Sequence, residues 1–131
     1  TEMTPAWWGR TLYYRHLAAV EPIGVVLAAF YTQEGQQPQL NNEVTIPALT
    51  THYGFERDSD AIEFFVAHEL ADQEHSQRQL DTAVNFLGTP ELEARALECA
   101  EKMCRLRWAS ATDLYRLHHL GEQEILPDGL S

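Results

Sequence analysis

One segment concentrates residues able to hold a metal: His68-Glu69-Leu70-Ala71-Asp72-Gln73-Glu74-His75. His68, Asp72 and His75 stand at i, i+4 and i+7, and at about 100° per helical residue they fall within a sector of roughly 60°. Ala61, Phe64, Phe65 and Phe86 extend the same column, so this face is expected to point into a helical bundle. An unpaired carboxylate there is costly unless a cation compensates it. Imidazole with carboxylate suits iron, manganese or zinc, and the mixture by itself does not choose among them. A polar stripe whose His residues are solvated or bonded to neighbours accounts for the spacing equally well. Glu69 and Glu74 fall off the column and read as surface acids.

Glu34 is the second candidate ligand. It shares a predicted helical face with Ile23, Leu27 and Phe30 and sits just before Gly35. Burial disfavours a carboxylate, and the negative end of a helix dipole disfavours it by a few tenths to about 1 kcal/mol. A residue placed against both effects has either a functional reason or a route to water at a frayed helix end.

The elements that would position these groups are helical. Thr4-Pro5 reads as an N-cap and first turn, opening a helix through Trp7, Trp8, Leu12, Tyr13 and Leu17. A second helix starts near Glu21-Pro22 and is apolar nearly all round from Ile23 to Tyr31, which marks it as central; Gly35 is its expected stop. Gln36 to Asn42 reads as a polar loop and Thr45 to Tyr53 as a short helix. Asp58 or Ser59 is the expected cap of the long helix that carries the His-Asp-His column to Phe86 or Leu87, with Gly88 ending it. Thr89-Pro90-Glu91 opens a last helix running toward Gly121, followed by a loose tail. No strand alternation bounded by hairpin turns occurs, so the fold class is all-α, a single helical domain over residues 1–131.

Composition excludes several classes. Nine Lys and Arg against twenty Asp and Glu give a net charge of −11, which argues against nucleic acid as a partner. The longest apolar run falls far short of the roughly 20 residues that span a bilayer, and the N-terminus has no signal-peptide pattern, so a cytoplasmic protein is expected. Cys99 and Cys104 on one helix stand about 8 Å apart, beyond disulfide reach, and are expected to be free, buried thiols. Trp7, Trp8 and Trp108 read as core or interface anchors. His118 and His119 suit a helix C-terminus.

Taken together, Glu21-Pro22-Ile23-Gly24, Phe30-Tyr31-Thr32-Gln33-Glu34-Gly35, Thr51-His52-Tyr53-Gly54, and Phe64-Phe65-Val66-Ala67-His68 with Asp72 and His75 resemble the haem-oxygenase-like non-haem di-iron oxidases and oxygenases. The resemblance runs from about Tyr13 to Tyr115, and its specific part is H-x3-D-x2-H preceded by a Glu 34 positions upstream. It implies a haem-oxygenase-like bundle in which Glu34, His68, Asp72 and His75 ligate two irons, with manganese an option for the metal. It also implies an O2-dependent oxidation of a small amino-acid-like or fatty-acid-like substrate. Family members place a further Glu and His on earlier helices, and His16 and Glu21 lie too close to Glu34 to match them. The chain is therefore expected to lack the N-terminal helices of the fold, and to associate with such a segment or with a second copy.

Other functions remain open on the residues alone. A metal-free oxidase of the same fold would use His as acid and base. A thiamin-degrading enzyme of that fold would use a cysteine nucleophile, but Cys99 and Cys104 diverge among apolar neighbours. A non-catalytic helical binding module with an incidental His stripe is the reading furthest in class.

Overall fold

A computed structural model describes residues 3–125, and the side chains of residues 69–74 lie outside that description. Six α-helices follow one another: α1 (Pro5–Val20), α2 (Ile23–Glu34), α3 (Gln37–Leu40), α4 (Ile46–His52), α5 (Glu63–Phe86) and α6 (Pro90–His118). The π-helical turn Asn41–Thr45 links α3 to α4. Among the described residues there is no strand, as the absence of alternation predicts. No helix among them is long and apolar enough to cross a membrane.

Caps set most boundaries. Thr4 accepts a hydrogen bond from the Trp7 backbone N–H and Thr89 one from that of Leu92, both at 3.3 Å, each with Pro at the first helical position. Two expectations fail. Gln36 to Asn42 is helical rather than a loop, because Gly35 keeps a right-handed φ of −65° and the chain continues almost without a break. The long helix begins at Glu63, because Ser59 spends its hydroxyl on the Ala61 N–H at 3.1 Å in a turn that precedes it.

The apolar α2 is central, as its composition predicts. It packs on one side against α6 and on the other against α5, while α1 packs mainly on α6. The core joins Leu17, Val25, Ala29, Ala96, Cys99 and Met103, with Tyr13, Tyr14 and Phe30 at its edge. Cys99 is buried as expected but Cys104 is exposed, since five positions along a helix bring the second thiol round to another face. The core reading of the three tryptophans is corrected too: Trp7, Trp8 and Trp108 are 38%, 48% and 79% exposed, which leaves the interface reading.

The joint between α1 and α2 is tied to α6 by charge. Arg95 donates to the Glu21 carboxylate, whose side chain is 8% exposed, and to Glu98 at 2.8 Å. The Arg95 hydrogen bond holds the Glu21 pKa below its usual value of 4.5. Beside it, burial and the Cys99 thiol push the Tyr13 hydroxyl far above its ordinary range.

Candidate metal centre

Glu34 stands on α2, and His68 and His75 on α5, two helices that pack against each other. At Gly24 a Cβ would meet the Phe86 backbone at 3.0 Å, so only glycine lets the two helices approach that closely. Seventeen positions further on, the Asn41 side-chain amide donates to the Phe65 carbonyl at 3.4 Å. Gly24 with Phe86 and Asn41 with Phe65 run in opposite directions, so α2 and α5 are antiparallel. Glu34 then falls at about the level of residues 72–76.

Rotation decides which side the groups take. On α2, Glu34 lies about 80° round from Gly24, in the column of Ile23, Leu27 and Phe30. On α5 the inner face runs through Phe65 and the buried Ala83. His68 and His75 lie about 60–80° round from it, in the same sense. Equal rotations in two antiparallel helices turn toward the same side of their seam. Helix periodicity therefore turns Glu34, His68 and His75 toward one side of it, with His75 near the level of Glu34 and His68 about one to two turns away.

This side is not the sealed interior that the column predicts. Glu34 and His68 are half-buried and His75 is exposed. Phe64 and Phe86 on α5 are 63% and 55% exposed, and Ile23 on α2 is 52% exposed. The column stands at the flank of the α5 contact because its centre is offset from Phe65 and Ala83. Asp72 as a ligand, and Glu69 and Glu74 as surface acids, concern side chains outside the described ones. Among the described residues no three His, Cys, Asp or Glu side chains converge as a metal-ligand group.

Local chemistry nevertheless fits a cation. The His68 ring nitrogen Nδ1 lies 2.7 Å from the Phe64 carbonyl. A carbonyl oxygen only accepts, so Nδ1 carries the hydrogen and the ring turns Nε2 elsewhere, the orientation that metal-binding histidines use. The Phe64 ring, with centroids 4.1 Å apart, holds the imidazole in place. Glu34 makes no hydrogen bond or ion pair among the described residues. The set offers imidazole nitrogen and carboxylate oxygen from two helices, a donor chemistry that suits iron.

Comparison with known proteins agrees. The family model described as iron-containing redox enzyme matches residues 3–108. The chain belongs to this family. It is also 35% identical over 95 residues to the 4-aminobenzoate synthase of Nitrosomonas europaea. That alignment covers 72% of this chain and 38% of the relative, so the chain spans well under half the relative's length. No solved structure matches it. As in the family, the chain is an all-α helical bundle of haem-oxygenase-like type.

The other histidines lie on other elements. His16 stacks on Tyr13 with centroids 6.4 Å apart, and His119 stacks on Tyr115 at 4.7 Å. His52 ends α4 in the open. What sequence reasoning missed is the α2 contact through Gly24; the Gly24 in an otherwise bulky apolar run was the available signal.

Proposed function

We propose that this iron-containing redox chain contributes Glu34, His68, Asp72 and His75 to a non-haem di-iron centre. The centre would carry out an O2-dependent oxidation of a small substrate. The observation that supports this best is the match to the iron-containing redox enzymes over residues 3–108, with helix periodicity turning Glu34, His68 and His75 toward one side of the α2–α5 seam. Iron bound there would supply the O2 activation and electron transfer that protein side chains lack.

The chain's own residues have defined tasks. Phe64 fixes His68 through its carbonyl and ring, so that Nε2 is offered without reorganisation. Glu34 brings a carboxylate whose charge no described neighbour neutralises. Ile23, Phe64 and Phe86 form the apolar rim against which a substrate or a covering helix would exclude water. The substrate is amino-acid-like or fatty-acid-like, and the name of the Nitrosomonas relative makes an aminobenzoate product the first to assay.

Anaerobic titration with Fe(II), followed by O2 uptake, tests the reading. Bound iron is expected, with His68→Ala and His75→Ala each weakening it by about tenfold or more while circular dichroism keeps the helical signal. Iron binding that survives both substitutions would remove these residues from the site. Turnover by metal-free protein would transfer the activity to acid–base chemistry.

A further inference from the structure

On the face of α2 turned away from α5, two guanidinium groups meet without a counter-ion. Arg10 and the Tyr14 hydroxyl both donate to the Gln33 side-chain oxygen. Arg107 donates to the Gln33 backbone carbonyl at 3.2 Å and to the Gln37 side chain at 3.4 Å. All these acceptors are neutral, and among the described residues neither arginine reaches a carboxylate. The Arg10 Nε is buried with no partner. Burial, then the neighbouring Arg10, push the Arg107 pKa down. In a chain with twenty acids and nine basic residues, two adjacent arginines with no carboxylate partner among the described residues stand out, Arg10 resting instead over the Trp7 and Tyr14 rings at 5.3 and 5.7 Å. Arg95, Lys102 and Arg105 all have carboxylate partners.

Arg107 also lines an open groove of about 610 Å³ between α6 and the α3 to π-helix segment, with most of its lining residues exposed. Leu40, Val44 and Trp108 make its apolar wall, and Trp108 offers a 79% exposed ring. The one acid on the wall, Glu43, accepts a hydrogen bond from Gln39 at 3.0 Å rather than pairing with Arg107. The groove thus has a cation at one end and an aromatic platform beside it.

We propose that this groove binds a small organic carboxylate with an apolar, ring-sized body, its carboxylate on the Arg107 guanidinium and its body against Trp108, Leu40 and Val44. A planar guanidinium takes a carboxylate through two parallel N–H donors, and an aromatic face takes the ring. The site lies across α2 from the metal seam, so it needs no iron and stands or falls independently of the oxidase reading.

Calorimetric titration of the metal-free chain with sodium benzoate tests it, with benzamide as the uncharged isostere. Saturable benzoate heat is expected, with benzamide weaker by about tenfold or more. Arg107→Gln should erase the preference for the charged form. Because Arg107 also bonds the last turn of α2, Trp108→Ala provides a second variant whose exposed position spares the fold; it should weaken benzoate several-fold. Absence of benzoate heat in the unaltered chain, equal affinity for benzoate and benzamide, or unchanged binding in both variants would overturn the proposal. So would self-association that shields Trp108 from a collisional quencher before any ligand is added, since a second copy would then fill the groove.

Discussion

At the residue scale, the two carboxylates with most consequence behave oppositely. Glu34 is a half-buried acid at the C-terminal end of α2 with no described partner, so in the absence of metal it opposes folding. Glu34→Gln removes the charge and keeps the shape. It should raise the thermal stability of chelator-treated protein by a few tenths to about 1 kcal/mol while weakening Fe(II) binding. Differential scanning calorimetry with and without iron separates the two effects; a loss of stability in the metal-free state would show that Glu34 serves the fold instead. Glu21 has the reverse character. Its folded pKa is depressed below 4.5 by the Arg95 hydrogen bond. Its contribution to stability is therefore complete above that value and is lost as pH falls through the lower, folded-state pKa. Glu21→Gln should lower the urea midpoint at pH 7, and its curve should merge with that of the unaltered chain once the pH has fallen through the depressed folded-state pKa. A midpoint difference that persists there would assign the effect to packing.

At the element scale, the α2–α5 contact carries the most weight for the site. Gly24→Ala would gain up to about 1 kcal/mol of helix propensity on an isolated helix. Here its Cβ meets backbone as well as side-chain atoms of Phe86 at 3.0 Å, and backbone cannot swing aside. Net destabilisation of about 1–2 kcal/mol is expected, together with weaker iron binding, because the helices carrying Glu34 and the two histidines would be wedged apart. Chemical denaturation and Fe(II) titration of the same variant check both. Gly9→Ala is the comparison: its Cβ would lie in ordinary contact, 3.7 Å from Leu106, so the propensity gain should prevail. Most element boundaries were legible because Thr4-Pro5 and Thr89-Pro90 are local signals satisfied within one turn. The start of α5 was not, because Asp58 and Ser59 both looked like caps and the choice among competing turns lies with Ile62, which is 1% exposed in the core.

At the scale of the whole molecule, the side of the seam that holds Glu34, His68 and His75 is rimmed by exposed Ile23, Phe64 and Phe86. Helix-bundle di-iron sites use about six protein ligands, whereas this chain offers four candidates. The chain also spans only 38% of the Nitrosomonas relative's length. The chain alone is therefore expected to bind about one iron weakly, to turn over little, and to associate through this apolar rim with a second copy or a covering segment. Light scattering and iron stoichiometry on one sample provide the check. A monodisperse monomer binding two irons with full turnover would mean that other residues, His16, Glu21 or His52 among them, complete the site.

What the sequence determined by itself was most of what depends on neighbours within a few turns. The all-α class, the central place of the apolar α2 and the common column of His68, Asp72 and His75 all follow from a period of 3.6 residues and from caps that close locally. Tertiary structure decided how far that column is buried and what stands across from it. Periodicity reports the relative directions of side chains on one helix but not which direction a partner occupies. Which face of α5 meets α2, and so which side of that contact His68 and His75 flank, is decided by a contact between Gly24 and Phe86. Those residues lie far apart in the chain, and they meet because a missing Cβ lets two backbones touch. The convergence of Arg10 and Arg107 on Gln33 is of the same kind: each arginine reads as an ordinary surface cation until three helices bring them to one carbonyl and one amide.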